Sequence, residues 1–167
     1  FRSKDFTRYE GDYRTLRQEV PQTADVVFVV EEKPCNKDAA AQLSKIVNDL
    51  EKALRKAGLA DNQFAFVGYG GIGVHGPPHV HTAQGQVFAE SRRSVLAIDS
   101  LDFSSFGQND VLSAVKFAAD LPYRVGASKT VIVMSCMECN PVFMKTNYAN
   151  INQLLLERDI SLHLLHE

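Results

Sequence analysis

Two short, unbroken runs of mostly β-branched apolar residues constrain the fold of this chain more than any other feature. They are Asp25-Val-Val-Phe-Val-Val-Glu31 and Thr130-Val-Ile-Val-Met134. A strand that is apolar on both faces needs cover on both faces, as the central strands of a parallel sheet have. The two runs therefore predict an α/β protein with a mainly parallel sheet.

Helical and strand patterns alternate along the rest of the chain. Leu43, Ile46, Val47, Leu50 and Leu54 recur at helical spacing before Gly58, and this predicts an amphipathic helix. Further helices are expected from Asn109, as a cap, through residue 118 and over 148–157, and strands over 64–69, 160–165 and, as one or two short pieces, 79–89. The alternation predicts a doubly wound sheet with one short antiparallel edge strand.

Composition favours a single domain. Residues 1–24 lack both structural periods and are expected to form an arm or linker, and residues 25–167 the domain. The first residue is Phe1 rather than Met, so we expect a piece of a longer precursor. A net charge of -2 gives no general attraction to nucleic acid, and the apolar runs are too short to span a bilayer.

Several of these segments together resemble the von Willebrand factor type A domain. The first strand, the amphipathic helix, Phe64-Ala-Phe-Val-Gly-Tyr69 and Arg124-Val-Gly-Ala-Ser-Lys-Thr-Val-Ile-Val133 follow in that family's order. The resemblance runs from Asp25 to the C-terminus and implies the type A fold. Because type A domains usually continue with another helix, strand and helix, the resemblance also implies that the domain is truncated at its C-terminus.

The chain departs from that family at its metal-ion-dependent adhesion site. Glu31, Lys33 and Cys35 stand where the family has an Asp and two Ser, and Ser135 or Cys136 replaces a further Asp. An ammonium group repels a divalent cation, and thiols are poor ligands of Mg²⁺. We therefore expect a degenerate site with no metal and no cofactor. The alternative is an adhesion-type module that binds a divalent ion through Glu31 and Ser135.

The three cysteines are candidates for a disulfide. In the type A topology the loops after the first and fourth strands lie at one edge, so the resemblance implies a bond from Cys35 to Cys136 or Cys139. Two alternatives are a redox pair formed by Cys136 and Cys139 and a zinc site formed by all three thiols with a histidine.

A second resemblance concerns the loops Glu31–Cys35 and Ser135–Cys139, which are similar to those of the type A-like module of apolipophorins. It implies a secreted, non-catalytic interaction or structural module of a large extracellular lipid-transport protein. The expected partners are other regions of that precursor or lipoprotein particle, or a receptor, and lipid would be carried by the parent chain. Phe103, Phe106 and Phe143 are the predicted interface residues.

The remaining polar motifs carry little chemistry. His75, His79 and His81 lie in a Gly/Pro-rich stretch, where a His-Val-His pattern could put two imidazoles on one strand face. Because no acidic residue is suitably placed beside them in the sequence, we expect surface histidines without a metal. Glu31 and Glu32 should face opposite sides of the sheet, and no phosphate-binding glycine motif is present. We expect no enzyme; the alternative is a redox or hydrolytic domain using Glu31 or the two neighbouring cysteines.

Overall fold

The computed structural model describes residues 21–104, 106–107, 110–136 and 146–166. The strands within these ranges are β1 (Ala24–Glu31), β2 (Gln63–Tyr69), β3 (His79–His81), β4 (Ser128–Ser135) and β5 (Ile160–His166). The α-helices are α1 (Lys37–Ala40), α2 (Leu43–Lys56), α3 (Ser91–Ser94), α4 (Val111–Ala119) and α5 (Tyr148–Glu157). Short 3-10 segments cover Pro34–Asn36, Gly73–His75 and Val95–Ser100.

The strands form one sheet in the order β3-β2-β1-β4-β5. β2, β1, β4 and β5 run parallel, and β3 pairs antiparallel with β2 at one edge. The predicted fold class, a doubly wound and mostly parallel sheet with one short antiparallel edge strand, is confirmed. The carboxyl ends of the parallel strands, and therefore the loops that follow them, share one edge of the sheet.

Side chains of β1 alternate between two separate hydrophobic cores because successive residues of a strand point to opposite faces. Val26, Phe28 and Val30 pack with α2 and the Val95–Ser100 segment. Val27 and Val29 pack with α4 and α5 on the other face. Both faces of the central strands are thus covered by helices, as the unbroken apolar run predicts.

Most predicted element positions agree with the structure, with small differences at the ends. The predicted cap Asn109 lies outside the described residues, and the side chain of Asp110 caps α4 by accepting a hydrogen bond from the amide of Ser113. Residues 1–20 of the predicted arm also lie outside them. None of the described helices has the length and apolarity needed to cross a membrane.

Candidate metal centre

Glu32 is the first residue after β1, and its side chain is fully buried. Its amide donates a hydrogen bond to the carbonyl of Tyr69, so the chain continues beside the end of β2. On β2, Gly68 is paired with Val30, two residues before Glu32, and with His79 of β3. A Cβ atom there would lie 2.5 Å from Glu32 Oε2 and 2.5 Å from His81 Nε2, so only glycine leaves room for this carboxylate beside the strand.

Three histidines surround the carboxylate of Glu32. His75 follows from the turn after β2, while His79 and His81 lie two residues apart on β3 and so point to the same face. His75 Nδ1 is 3.0 Å from Glu32 Oε1, His79 Nε2 is 3.2 Å from Oε2, and His81 Nε2 is 3.2 Å from Oε1. One nitrogen from each ring and one oxygen of the carboxylate lie within 4.8 Å of one another.

Hydrogen bonds to the outer nitrogens orient two of the imidazoles. His79 Nδ1 lies 2.9 Å from the carbonyl of Pro77, which can only accept a hydrogen bond. His81 Nδ1 lies 2.7 Å from Ser100 Oγ, whose own hydrogen is donated to the carbonyl of Ala97. Both rings therefore carry a proton on Nδ1, and in the neutral ring each Nε2 presents a lone pair to the centre of the cluster.

Burial leaves these inner nitrogens with little else to bind. Among the described residues, the Nε2 atoms of His79 and His81 are buried and make no well-aligned hydrogen bond. The side chain of His81 is 4% exposed, and those of His75 and His79 are 24% exposed. Each of these nitrogens lies 3.2 Å from an oxygen of Glu32, and lone pairs that converge in this way are favourable only with a proton or a metal cation between them.

The charges of the cluster are coupled. Burial alone would raise the pKa of Glu32, but close contacts with His79 and His81 and the hydrogen bond from the Asp102 amide outweigh it and lower the pKa to about 2. Contact with Glu32 in turn raises the pKa of His79 despite its partial burial. The carboxylate is therefore ionised at neutral pH and favours positive charge beside it.

The distances from the three histidines to Glu32 are in the range expected around a small tetrahedral metal ion. Ligands about 2.0–2.1 Å from Zn²⁺ are separated from one another by about 3.3 Å in a tetrahedron. The distances of 3.0–3.2 Å between the Glu32 oxygens and the three histidine nitrogens are close to that spacing. Three imidazoles and one carboxylate form a donor set suited to zinc and neighbouring transition metals.

The expectation that these histidines are surface residues with no acidic neighbour is therefore wrong. Glu32 precedes His75 by 43 positions, and the parallel pairing of β1 with β2 brings the two segments together. The predicted strand face shared by His79 and His81 is present. The sequence indicated the site only through the His-Val-His pattern. The strand register that places Glu32 beside these histidines could not be inferred from it.

The positions of the degenerate adhesion site lie on the other side of β1. Lys33 Nζ is 2.9 Å from Glu31 Oε1, and both side chains are buried. Ser135 Oγ and the amide of Cys136 donate hydrogen bonds to Glu31 Oε2 at 2.8 and 3.0 Å. Glu31 and Ser135 are thus together, as the type A resemblance implies, and the ammonium of Lys33 contacts the carboxylate that would face a metal ion.

A disulfide joins Cys35 to Cys136 across this edge, with 6.0 Å between the Cα atoms. It connects the loop after β1 to the end of β4, and it is one of the two predicted pairings. The pairing removes both sulfurs from a three-thiol zinc site. It also removes Cys136 from a redox pair with Cys139, which itself lies outside the described residues.

The predicted interface phenylalanines differ in exposure. Phe103 is partly buried against the core that contains Phe28, whereas Phe106 is 62% exposed. Phe143 lies outside the described residues. The exposure predicted for Phe103 is thus only partial, and the interface itself stays a prediction.

Comparison with known proteins gives a fold but no family. No family model matches the chain, and no curated protein matches it significantly. Among solved structures, proximal thread matrix protein 1 from the mussel byssus is 18% identical over 88% of this chain, with a TM-score of 0.65. A second structure of that protein, described as having a zinc-occupied MIDAS motif, is 16% identical over 88% of the chain, with a TM-score of 0.64.

The pilus adhesin SpaC from Lactobacillus rhamnosus GG is also similar, at 14% identity over 71% of this chain and a TM-score of 0.50. The chain spans 36% of the mussel protein's structure and 16% of the adhesin's. These similarities lend no support to an apolipophorin origin. What the chain shares with these proteins is the mixed α/β fold, which is consistent with the type A architecture.

Proposed function

We propose that this chain is a non-enzymatic, extracellular interaction or structural module whose loops are organised by one bound transition-metal ion, with Zn²⁺ the best fit. The observation that carries the proposal is the convergence of three imidazole nitrogens on the buried carboxylate of Glu32. Imidazole nitrogen is a ligand for zinc and its neighbours, whereas Mg²⁺ and Ca²⁺ require shells made of oxygen.

The number of ligands supports a structural role for the ion. Catalytic zinc sites have three protein ligands and keep the fourth position for water or substrate. Here Glu32, His75, His79 and His81 supply four ligand atoms from the protein. A tetrahedral shell is then complete, so no position remains at which a substrate could bind the metal.

Two features support an extracellular setting. The Cys35–Cys136 disulfide is of a kind that persists in oxidising environments and is rare in the cytosol. The similar structures come from a byssus matrix protein and a pilus adhesin. Because these are matrix and adhesion proteins, we propose a protein partner for this module; the lipid-carrier parent has no such support and is not part of the proposal.

Calorimetric titration of the chelator-treated chain with Zn²⁺ tests the proposed function. We expect one ion per chain. His81→Ala and His75→Ala should each weaken binding by more than about 100-fold, since even groups that only orient ligands account for 10–100-fold. The side chain of His75 is partly exposed and lies in a turn, so its loss should leave the fold intact, which circular dichroism can verify.

The matched control is His163→Ala, because His163 is exposed on β5, at the opposite edge of the sheet from β3. It should bind zinc like the parent chain. Absence of saturable zinc binding, or equal affinity in the parent and the His75 and His81 variants, would refute the proposed function.

A further inference from the structure

We propose, on the basis of the metal site proposed above, that the bound ion fastens two exposed loops to the sheet edge and so forms a metal-dependent apolar surface. The first loop comprises residues 70–78 and the second residues 101–107, of which residue 105 is not described. These loops carry three exposed apolar side chains, Ile72, Val74 and Phe106, which would form this surface. These side chains are 61%, 79% and 62% exposed.

The first loop reaches the metal centre directly. It leaves β2 after Tyr69 and contributes His75 as a ligand. Its turn is closed by hydrogen bonds from the amide of Gly71 to the carbonyl of His75 and from Gly70 to Gly76. Ile72 and Val74 lie within this turn, on either side of the 3-10 start at Gly73. An ion that binds His75 therefore restrains the segment that carries both apolar side chains.

The strand after this loop also depends on the cluster. β3 has only three residues, and two of them, His79 and His81, are ligands. Its pairing with β2 covers three residue pairs at the edge of the sheet. Such a short edge strand contributes little stability by itself. An ion bound by Glu32, His79 and His81 would connect both ends of β3 to the end of β1, which is separated from β3 by β2.

The second loop is attached to two of the four residues, Glu32 and His81. The Asp102 amide donates a 2.8 Å hydrogen bond to Glu32 Oε1, and Ser100, just before the loop, binds His81 Nδ1. Its described residues have no regular secondary structure. Fixing the positions of Glu32 and His81 therefore fixes the start of this loop.

The two loops also contact each other closely. The amide of Gly107 donates a hydrogen bond to the carbonyl of Gly70 at 2.8 Å. A Cβ atom on Gly107 would lie 1.7 Å from the Gly71 carbonyl oxygen, so the approach needs glycine. Ordering either loop thus restricts the other. Phe106 immediately precedes this contact, which places it beside the turn that carries Ile72 and Val74.

Hydrogen exchange followed by mass spectrometry, with zinc binding measured on the same samples, tests the proposal. Saturating Zn²⁺ should slow exchange at least about tenfold in peptides covering residues 70–78 and 101–107, where the amides of Gly71, Asp102 and Gly107 are donors. Peptides from β4 and β5 should change little. Glu32→Gln should abolish the protection, and Glu157→Gln, an exposed position on α5, should keep it.

A fluorescence reporter gives an independent readout. The chain contains no tryptophan, so Phe106→Trp places a single indole on the second loop. Zinc should shift its emission in the parent background and in His163→Ala, and should leave it unchanged in Glu32→Gln. If zinc binds but neither loop gains protection and the indole emission does not change, the proposed restraint of the two loops is wrong, whereas the metal site is still supported. If zinc does not bind, the proposed function fails first.

Discussion

Glu31 and Glu32 are adjacent residues that face opposite sides of the sheet and lie in two different kinds of site. Glu31 is neutralised within the chain by the ammonium of Lys33. Glu32 instead faces three imidazoles, two of which are held in the tautomer that a metal requires. A lysine of the chain thus balances the charge of Glu31, whereas Glu32 lies among histidines that could bind a metal ion with it.

Lys33→Met tests the first of these sites. It keeps a long apolar side chain but leaves the buried Glu31 carboxylate without this cation. Breaking one side of a buried pair costs about 3–5 kcal/mol, so urea unfolding should show a loss of that order. Lys52→Met is the control, because Lys52 pairs with Asp49 in solvent and should cost less than about 1 kcal/mol. Equal losses in both variants would contradict the account of Glu31.

Gly68→Ala tests whether the candidate metal centre has space for a side chain at position 68. The added methyl group would lie 2.5 Å from atoms of Glu32 and His81, so zinc affinity should fall by more than about tenfold in calorimetry. Gly85→Ala is the control: Gly85 has a positive φ of 81° but open space around its Cβ position. It should lose stability, about 1 kcal/mol, without losing zinc affinity. Unchanged affinity in Gly68→Ala would mean that the site adapts to the methyl group.

At the scale of elements, the long buried strands and the three longer helices were predictable because each has a clear period. The helix over Tyr148–Glu157 agrees with its predicted range, and β1 and β4 extend the predicted runs by one to three residues. The four-residue helices α1 and α3 were missed because one turn shows no period. The metal centre was missed because it depends on strand register, which no local pattern contains.

The disulfide connects two elements, and its contribution can be measured. Replacing Cys35 and Cys136 together by Ser should lower the free energy of unfolding by about 2–4 kcal/mol, because the bond closes a loop with a sequence separation of 101. Non-reducing peptide mapping should recover a Cys35–Cys136 peptide pair. Recovery of a Cys35–Cys139 pair, or of three reduced cysteines in protein from its native source, would contradict the assignment.

At the scale of the whole molecule, two links meet at the carboxyl edge of the sheet. The disulfide joins the ends of β1 and β4, and the cluster that forms the candidate metal centre joins the end of β1 to the turn after β2 and to β3. Helices cover both faces of the sheet, so the loops that follow the parallel strands lie at this edge. Both links start from the end of β1, but they connect it to different elements.

The stability of the metal-free molecule should depend on pH through the same cluster. Glu32 has a lowered pKa, so its contribution is complete above pH 4.5 and is lost as the pH falls toward about 2. His79 has a raised pKa, so its contribution is complete below pH 6.5 and is lost as the pH rises through the raised value. Urea midpoints should therefore be highest between about pH 4.5 and 6.5. In Glu32→Gln the urea midpoint should depend less on pH, both below pH 4.5 and above pH 6.5. An unaltered pH profile in that variant would contradict the electrostatic coupling of Glu32 to His79.

X-ray absorption at the zinc edge, recorded on the zinc-loaded chain at one ion per protein, tests the central claim most directly. The account predicts four ligands near 2.0–2.1 Å, with scattering from three imidazole rings and one carboxylate and with no sulfur. A sulfur shell near 2.3 Å would assign the ion to cysteine. A six-coordinate shell of oxygen atoms without imidazole would assign it to an oxygen site such as that of Glu31 and Ser135, and either result would contradict the account.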